Sequence, residues 1–230
     1  MPAPPSWARG EHSWLEARST LQPPNEVYRV ARKPDPWALL DWIWAHDDGT
    51  FYNRYDDPQA RYRVIYASTQ RLSCFIETLA CYRVDMLAAA ELAAIVGDDD
   101  FYPRGKVPPD YLRTRTIGIA RVQAECVDLG TAEWLAKLRT KLLPFVKEFG
   151  LTDIDASVLQ KSSPRRLTQL ISRVAYESAA EGIRYLSRFG HDLENWAFFE
   201  PVAILSRRTE VLKEDDPDLV KALEILKLSL

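Results

Sequence analysis

The stretch Tyr62–Leu79, YRVIYASTQRLSCFIETL, decides the fold class. Its first part, Tyr62 to Ala67, carries β-branched and aromatic residues and predicts a strand. Ser68 or Thr69 is then placed to cap a helix. In that helix Leu72, Phe75, Ile76 and Leu79 recur at the spacing of one buried face.

Working outward, a strand is expected over Glu26 to Ala31. Pro36 then opens a Trp-rich helix through about Trp44, ended by Asp47-Asp48-Gly49. Asn53 to Pro58 reads as an exposed turn. Downstream come an Ala-rich helix from Asp85 to Val96, a Pro- and Gly-containing loop from Asp98 to Asp110, and strands near Thr116–Arg121 and Ala124–Leu129. Thr131 caps a helix expected to kink at Pro144 and stop at Gly150. Ser163-Pro164 starts another, running to about Ala180. Ile183 to Leu186 is a short strand. The apolar run Trp196 to Leu205 suits one central buried strand, with Pro201 marking an end or a bulge. Asp216-Pro217 begins a C-terminal helix with Leu219, Leu223 and Leu226 along one face. Strands and helices mix without a regular βαβ rhythm, and no Gly-rich phosphate loop appears. The expected class is α+β, a single compact domain with a mixed sheet flanked by helices.

Composition narrows the function classes. The chain has 230 residues, 30 Lys plus Arg against 33 Asp plus Glu, and a net charge of −3. That balance gives no reason to expect direct nucleic-acid binding, although a local basic pocket for a phosphorylated ligand stays open. The opening MPAPPSWARGEHSW lacks the apolar core of a signal peptide, and Leu87–Val96 is too short to span a bilayer. Cys74, Cys81 and Cys126 form no CxxC pair, so a reduced, cytoplasmic protein is expected. His12, His46 and His191 lie far apart, which argues against a zinc site and a Cys-His hydrolase.

Three segments carry candidate chemistry. Glu77 falls on the helix side away from Leu72, Ile76 and Leu79, among Ser73, Cys74, Thr78 and Cys81. A face of small uncharged groups around one carboxylate predicts a helix covered on both sides, with its acid aimed into a cavity beside a cationic partner or ligand. The alternative is a structural ion pair. Tyr28-Arg29 and Asn53-Arg54-Tyr55 combine guanidinium forks with aromatic faces, as a phosphate-bearing flat-ringed ligand requires. Each alone reads better as a surface arginine covering apolar area with its stem, and Arg61, Arg63, Arg71 and Arg83 have only that reading. Ser187, where the short strand enters a loop, is either a ligand-contacting hydroxyl or a turn residue; no nearby His would make it a nucleophile.

Taken in order, Tyr28-Arg29-Val30, Phe51-Tyr52-Asn53-Arg54, Val64-Ile65-Tyr66-Ala67-Ser68, Phe75-Ile76-Glu77-Thr78-Leu79, and Gly182 to Arg188 followed by Asn195-Trp196-Ala197-Phe198-Phe199 resemble the RES domain, named for its Arg, Glu and Ser residues. The resemblance spans about Tyr28 to Pro201. It implies a fold related to ADP-ribosyltransferases and the NAD-degrading toxin of a bacterial toxin–antitoxin pair. NAD would be the substrate, with no metal or further cofactor and no membrane. The implied partner is a separately encoded Xre-type antitoxin, and a homodimer is implied as an option. By residue, it implies Arg29, Glu77 and Ser187 as catalytic and Tyr28, Arg54, Tyr66 and Tyr185 as NAD-binding. The alternatives are ADP-ribosyl transfer to a protein and an inactive interaction module. The expected organisation is an N-terminal arm over 1–27, a RES domain over 28–205 with an enlarged middle section 84–163, and a C-terminal helical extension over 206–230. Three departures from the family pattern stand out, the first being the extra material between Arg83 and Ser163. Asp56 follows the Arg54-Tyr55 pair, adding a negative charge expected to weaken phosphate binding, and Leu186 stands where proline is common.

Overall fold

A computed structural model describes residues 20–96, 101–160 and 163–230. The chain begins with strands β1 (Thr20–Leu21), β2 (Val27–Arg32) and β3 (Val64–Ser68), then helices α1 (Arg71–Leu79) and α2 (Met86–Val96). Next come β4 (Gly105–Lys106), the single turn α3 (Tyr111–Thr114), β5 (Arg115–Gln123) and β6 (Cys126–Asp128). Helices α4 (Ala132–Leu142), α5 (Ala156–Gln160) and α6 (Arg165–Glu177) follow. The chain closes with β7 (Gly182–Ser187), β8 (Gly190–Phe199), β9 (Ala203–Val211), α7 (Pro217–Leu226) and β10 (Leu228–Ser229). No helix among the described residues is long and apolar enough to cross a membrane.

The α+β class is observed. One mixed sheet runs β1-β6-β7-β8-β3-β2-β5-β9, and β4 with β10 forms a small second sheet. Among the described residues only β6 and β7 pair in parallel within the large sheet. Strand alternation divides the apolar residues between its faces. Val27, Ile65, Ala67, Trp196 and Phe198 bury one face with Trp37. On the other, α4 and α6 cover Tyr55, Ile183, Ala197 and Phe199, while α1 and α7 cover Val30 and Ile117. The two clusters on this face meet where β7, β8, β3 and β2 run side by side.

The structure changes several sequence expectations. The helix from Pro36 to Trp44 shrinks to a 3-10 turn, Trp42–Trp44. Pro36 and Trp37 are instead pressed against β5 at Gly118, where a Cβ would lie 2.5 Å from Trp37 Nε1 and 2.7 Å from Pro36 Cγ. Burying that indole outweighs helix propensity. Neither Ser68 nor Thr69 caps α1; the cap position is Gln70, without a side-chain bond. Ser68 bonds Asn195, and Thr69 bonds Glu194 and accepts from Trp196 Nε1. Trp196–Leu205 is two strands, β8 and β9, turning at Pro201. Pro164, not Ser163, holds the cap position of α6, again without a side-chain bond. Thr131 and Asp216 do cap α4 and α7.

Domain boundaries also look different in three dimensions. The middle section contributes β5 and β6 to the large sheet. The limit at 205/206 falls inside β9, and α7 packs on α1 through Leu219, Ala222 and Leu226. Within the expected N-terminal arm, residues 1–19, including His12, lie outside the described residues, as do 98–100 of the loop expected over Asp98 to Asp110. Thr20 and Leu21 pair with Val127 and Cys126 at the sheet edge.

The turn from Asn53 to Pro58 is buried rather than exposed: Tyr55, Asp56 and Asp57 are each under 5% accessible. It carries a charge into the interior, so it needs a partner there. Arg173 of α6 supplies it with two guanidinium donors to Asp57 Oδ1, while Asp57 Oδ2 accepts from Arg61 N at 2.6 Å. Ser172 Oγ donates to Tyr55 O at 2.6 Å and bonds the Tyr62 hydroxyl at 2.8 Å. Helix α6 therefore clamps the turn at two successive positions. Replacing Arg173 with Met leaves buried Asp57 only the half-exposed Arg61 guanidinium, 3.5 Å from Oδ2, and urea unfolding should show a loss of about 3 kcal/mol. Adding Asp57→Asn should recover part of that loss; an unchanged midpoint in the single variant would show that the pair contributes nothing.

Candidate active site

The candidate site lies where α1, the 53–57 turn and the ends of β7 and β8 come together. Ser68, Asn195 and Tyr185 occupy one row across β3, β8 and β7, so their side chains share the face under α1. Asn195 is buried, and its amide orientation is fixed by its neighbours. Its Oδ1 accepts from Ser68 Oγ at 2.5 Å and Ser73 Oγ at 2.8 Å. Its Nδ2 must then face the other way, and it donates to Glu77 Oε1 at 3.0 Å. Ser187 Oγ donates to the same oxygen at 2.6 Å and accepts from Phe189 N at 3.1 Å. Both bonds fall on Oε1. Glu77 Oε2 has no protein partner among the described residues.

Glu77 was expected in a covered cavity beside a cation. Ser73 and Cys74 are indeed buried, so α1 is covered on both sides there. Glu77 itself is exposed at the cleft mouth, however, with two neutral donors and no ion pair among the described residues. No direct ion pair forms at Glu77 among the described residues, although its charge acts on the nearby Arg188 guanidinium.

The arginines line the other wall. Strands β2 and β3 share only the Tyr28–Ser68 pair. Beyond it they part, and Arg29 enters the gap, donating from Nη1 to Tyr66 O at 2.8 Å. Burial lowers the Arg29 pKa, and no carboxylate offsets this. Arg54 donates to Leu159 O and lies 5.3 and 5.4 Å from the Tyr55 and Tyr185 ring centres. In both arginines Nε is buried without a partner. Unsatisfied buried donors are rare and call for an explanation.

The floor is aromatic. Tyr66 Oη accepts from Tyr55 N at 2.9 Å and approaches Asp56 at 3.4 Å. Tyr55 and Tyr185 pack with centroids 4.8 Å apart. Burial, followed by the nearby Glu77 charge, pushes the Tyr185 pKa well above the usual phenol value. Burial does the same to Tyr66, with Asp56 adding to it.

The structure thus brings Arg29, Arg54, Tyr66, Glu77, Tyr185 and Ser187 to one cleft. Tyr28 is turned elsewhere: its hydroxyl donates to Glu26 at 3.2 Å and its ring packs in the cluster under α1 and α7. Asp56 does not present its charge to the cleft. It accepts from Phe51 N at 3.0 Å and Asn53 N at 2.7 Å, closing the turn, and burial raises its pKa. Asn195 was not singled out as a site residue, though its signal was a lone amide opening an apolar strand. Arg83, assigned only a surface role, and Arg188 flank the Phe189 ring at 5.9 and 4.7 Å; burial lowers the Arg188 pKa, and the Glu77 charge opposes that shift. Arg61, Arg63 and Arg71 do form ion pairs. Among the described residues no cluster of three or more His, Cys, Asp or Glu could hold a metal.

A family model for the RES domain matches residues 26–219. The chain belongs to the RES-domain family. A comparison with the curated proteins finds no match. Among solved structures, a chain from the crystal structure of the M. tuberculosis MbcT–MbcA toxin–antitoxin complex aligns at 11% identity, over 92% of this chain and 93% of that one, with a TM-score of 0.49. In this RES domain the Glu77–Ser187–Asn195 triangle and the two arginines gather around Tyr55, Tyr66 and Tyr185.

The tyrosine floor has a consequence for pH. Tyr66 and Tyr185 keep their protons in the folded chain, whereas unfolded phenols ionise near pH ~10. Stability from this source is whole below that pH and falls as pH rises toward the folded pKa values, because the unfolded state then binds fewer protons. Melting temperature should decline from about pH 10 upward, and less steeply in Tyr185→Phe. Parallel declines in the two proteins would show that the phenol is not held protonated by the fold.

Proposed function

We propose that this RES-domain protein cleaves the bond between nicotinamide and ribose in NAD, and that it acts as the toxin of a toxin–antitoxin pair. The observation that carries the reading is the pairing of opposite charges left incomplete across one cleft. Glu77 Oε2 lacks a partner on one wall, and Arg29 and Arg54 each keep an unsatisfied Nε on the other. Such an arrangement stores unmet interactions that a ligand with a diphosphate at one end and a developing cation at the other would complete.

The residue types fit the chemistry. Nicotinamide leaves as a neutral ring, because the electrons of the breaking C–N bond cancel its positive charge, so little acid catalysis is required. What requires stabilisation is an oxocarbenium-like ribose. Glu77 would face it with Oε2, while Ser187 and Asn195 hold Oε1 and so fix the carboxylate in place before the reaction begins. Arg29 and Arg54 would take the pyrophosphate through their forked donors. Tyr185 and Tyr66 would wall the cleft beside them. Water attacking the ribose carbon releases ADP-ribose and a proton; phosphate in its place gives the phosphorylated sugar. The antitoxin, of Xre type by the family resemblance, would neutralise this activity in a cytoplasmic complex.

Incubating the pure protein with NAD should release free nicotinamide and leave the protein unlabelled. Labelled protein would instead assign ADP-ribosyl transfer, and intact NAD an interaction module. Glu77→Gln should lose about 2–4 kcal/mol of transition-state stabilisation, seen mainly in kcat. Its melting temperature should hold, since no buried cation is stranded. A variant that melts early yet turns over NAD normally would end the catalytic assignment.

A further inference from the structure

A second concavity of about 520 Å³ lies at the far end of β2 and β5. Arg32, Lys33, Arg113 and Arg115 line it together with Tyr82, Pro108, Asp110 and Thr114. None of these residues bonds Glu77, and none lines the Arg29–Arg54 wall. Four cations thus face one carboxylate in a chain whose net charge is −3.

The strand register makes this concentration unusual. Arg32 and Arg115 are direct cross-strand partners, the last pair of the β2–β5 ladder, so both project from the same face. Like charges directly opposite one another destabilise a sheet. Neither arginine has a carboxylate partner among the described residues, and the same holds for Lys33 and Arg113. Arg115 rests over the Tyr111 ring at 4.3 Å and reaches Thr114 Oγ1 at 3.5 Å, which leaves most of its five donors unused. Tyr82 stands edge-on to Tyr111 with centroids 6.2 Å apart, half-buried in the cleft wall.

We propose that this cleft is a second ligand site that takes a nucleoside polyphosphate, with its phosphates on Arg32, Arg113 and Arg115 and its base against Tyr82. A polyanion between Arg32 and Arg115 turns a repulsive pair into a bridged one. The volume matches a small molecule rather than a polymer groove. A flat base completes the aromatic wall that inorganic phosphate would leave uncovered.

The test is calorimetric titration of the full chain with ATP and with inorganic tripolyphosphate, beside photolabelling by 8-azido-ATP and peptide mapping. ATP should bind more tightly than tripolyphosphate, and the label should fall in the segment around Tyr82. The double variant Arg32→Glu/Arg113→Glu should weaken ATP binding at least about tenfold, as should the exposed single change Arg113→Glu to a smaller degree, each with a wild-type melting temperature. NAD turnover in the absence of ATP should be the same in these variants as in the wild type. Tripolyphosphate binding as tightly as ATP would overturn the base contact. Label confined to the Glu77 cleft, affinity unchanged in both variants, or a single-stranded oligonucleotide binding more tightly than ATP would overturn the site itself.

Discussion

The buried amide of Asn195 is the constraint on which the cleft depends. An amide taken out of water must find partners for both its ends. Here two serine hydroxyls, from β3 and from the first turn of α1, claim the oxygen, and Glu77 on the same helix claims the nitrogen. One side chain on β8 thereby fixes the position of α1 over the sheet and the rotamer of its carboxylate. Ser187, from the neighbouring strand, donates to the same Glu77 Oε1 that Asn195 Nδ2 reaches, so four elements converge on two atoms, Asn195 Oδ1 and Glu77 Oε1. Because both donors to Glu77, Asn195 Nδ2 and Ser187 Oγ, land on Oε1, the other carboxylate oxygen remains without a protein partner among the described residues.

Charge placement follows the same economy. The acids and arginines that build the fold are matched: Asp57 with Arg173, Glu200 with Arg63, Asp216 and Glu210 with Arg71. Those in the cleft are not matched to each other, although each is anchored by a neutral partner, a backbone carbonyl or an aromatic face. Anchoring by neutral groups holds a charged side chain in position without neutralising it. The buried turn shows the two uses side by side. Asp57 is neutralised by α6, and Asp56 is consumed by the turn's own amides, so Arg54 of the same turn pairs with no carboxylate among the described residues.

Much of the fold was legible in the chain because it rests on local signals. The strand–helix unit at Tyr62–Leu79, the Thr131 and Asp216 caps and the Ala-rich α2 each follow from residues within a few positions of one another. The failures share one cause. At Pro36–Trp44 the local helix signal lost to a long-range contact, Trp37 against Gly118, some 80 residues away in sequence. Ser68 and Thr69 carried a capping signal but were drawn off by β8 partners more than a hundred residues distant. The polar turn at Asn53–Pro58 looked solvated because nothing nearby in the chain announces that Arg173 will cover it.

The cleft divides in the same way. The sequence determined which residue types were available, a lone acid on a face of small groups and arginines beside aromatics, and the order of five short motifs that marks the RES domain. Residue type and spacing are properties of the chain, so Arg29, Arg54, Tyr66, Glu77, Tyr185 and Ser187 could be named from it. Only the tertiary structure decided that Tyr28 faces Glu26 instead, that Asn195 orients Glu77, and that Arg32 stands opposite Arg115. Those facts depend on strand register and on which helix covers which face, and both are set by packing between segments that the sequence keeps far apart.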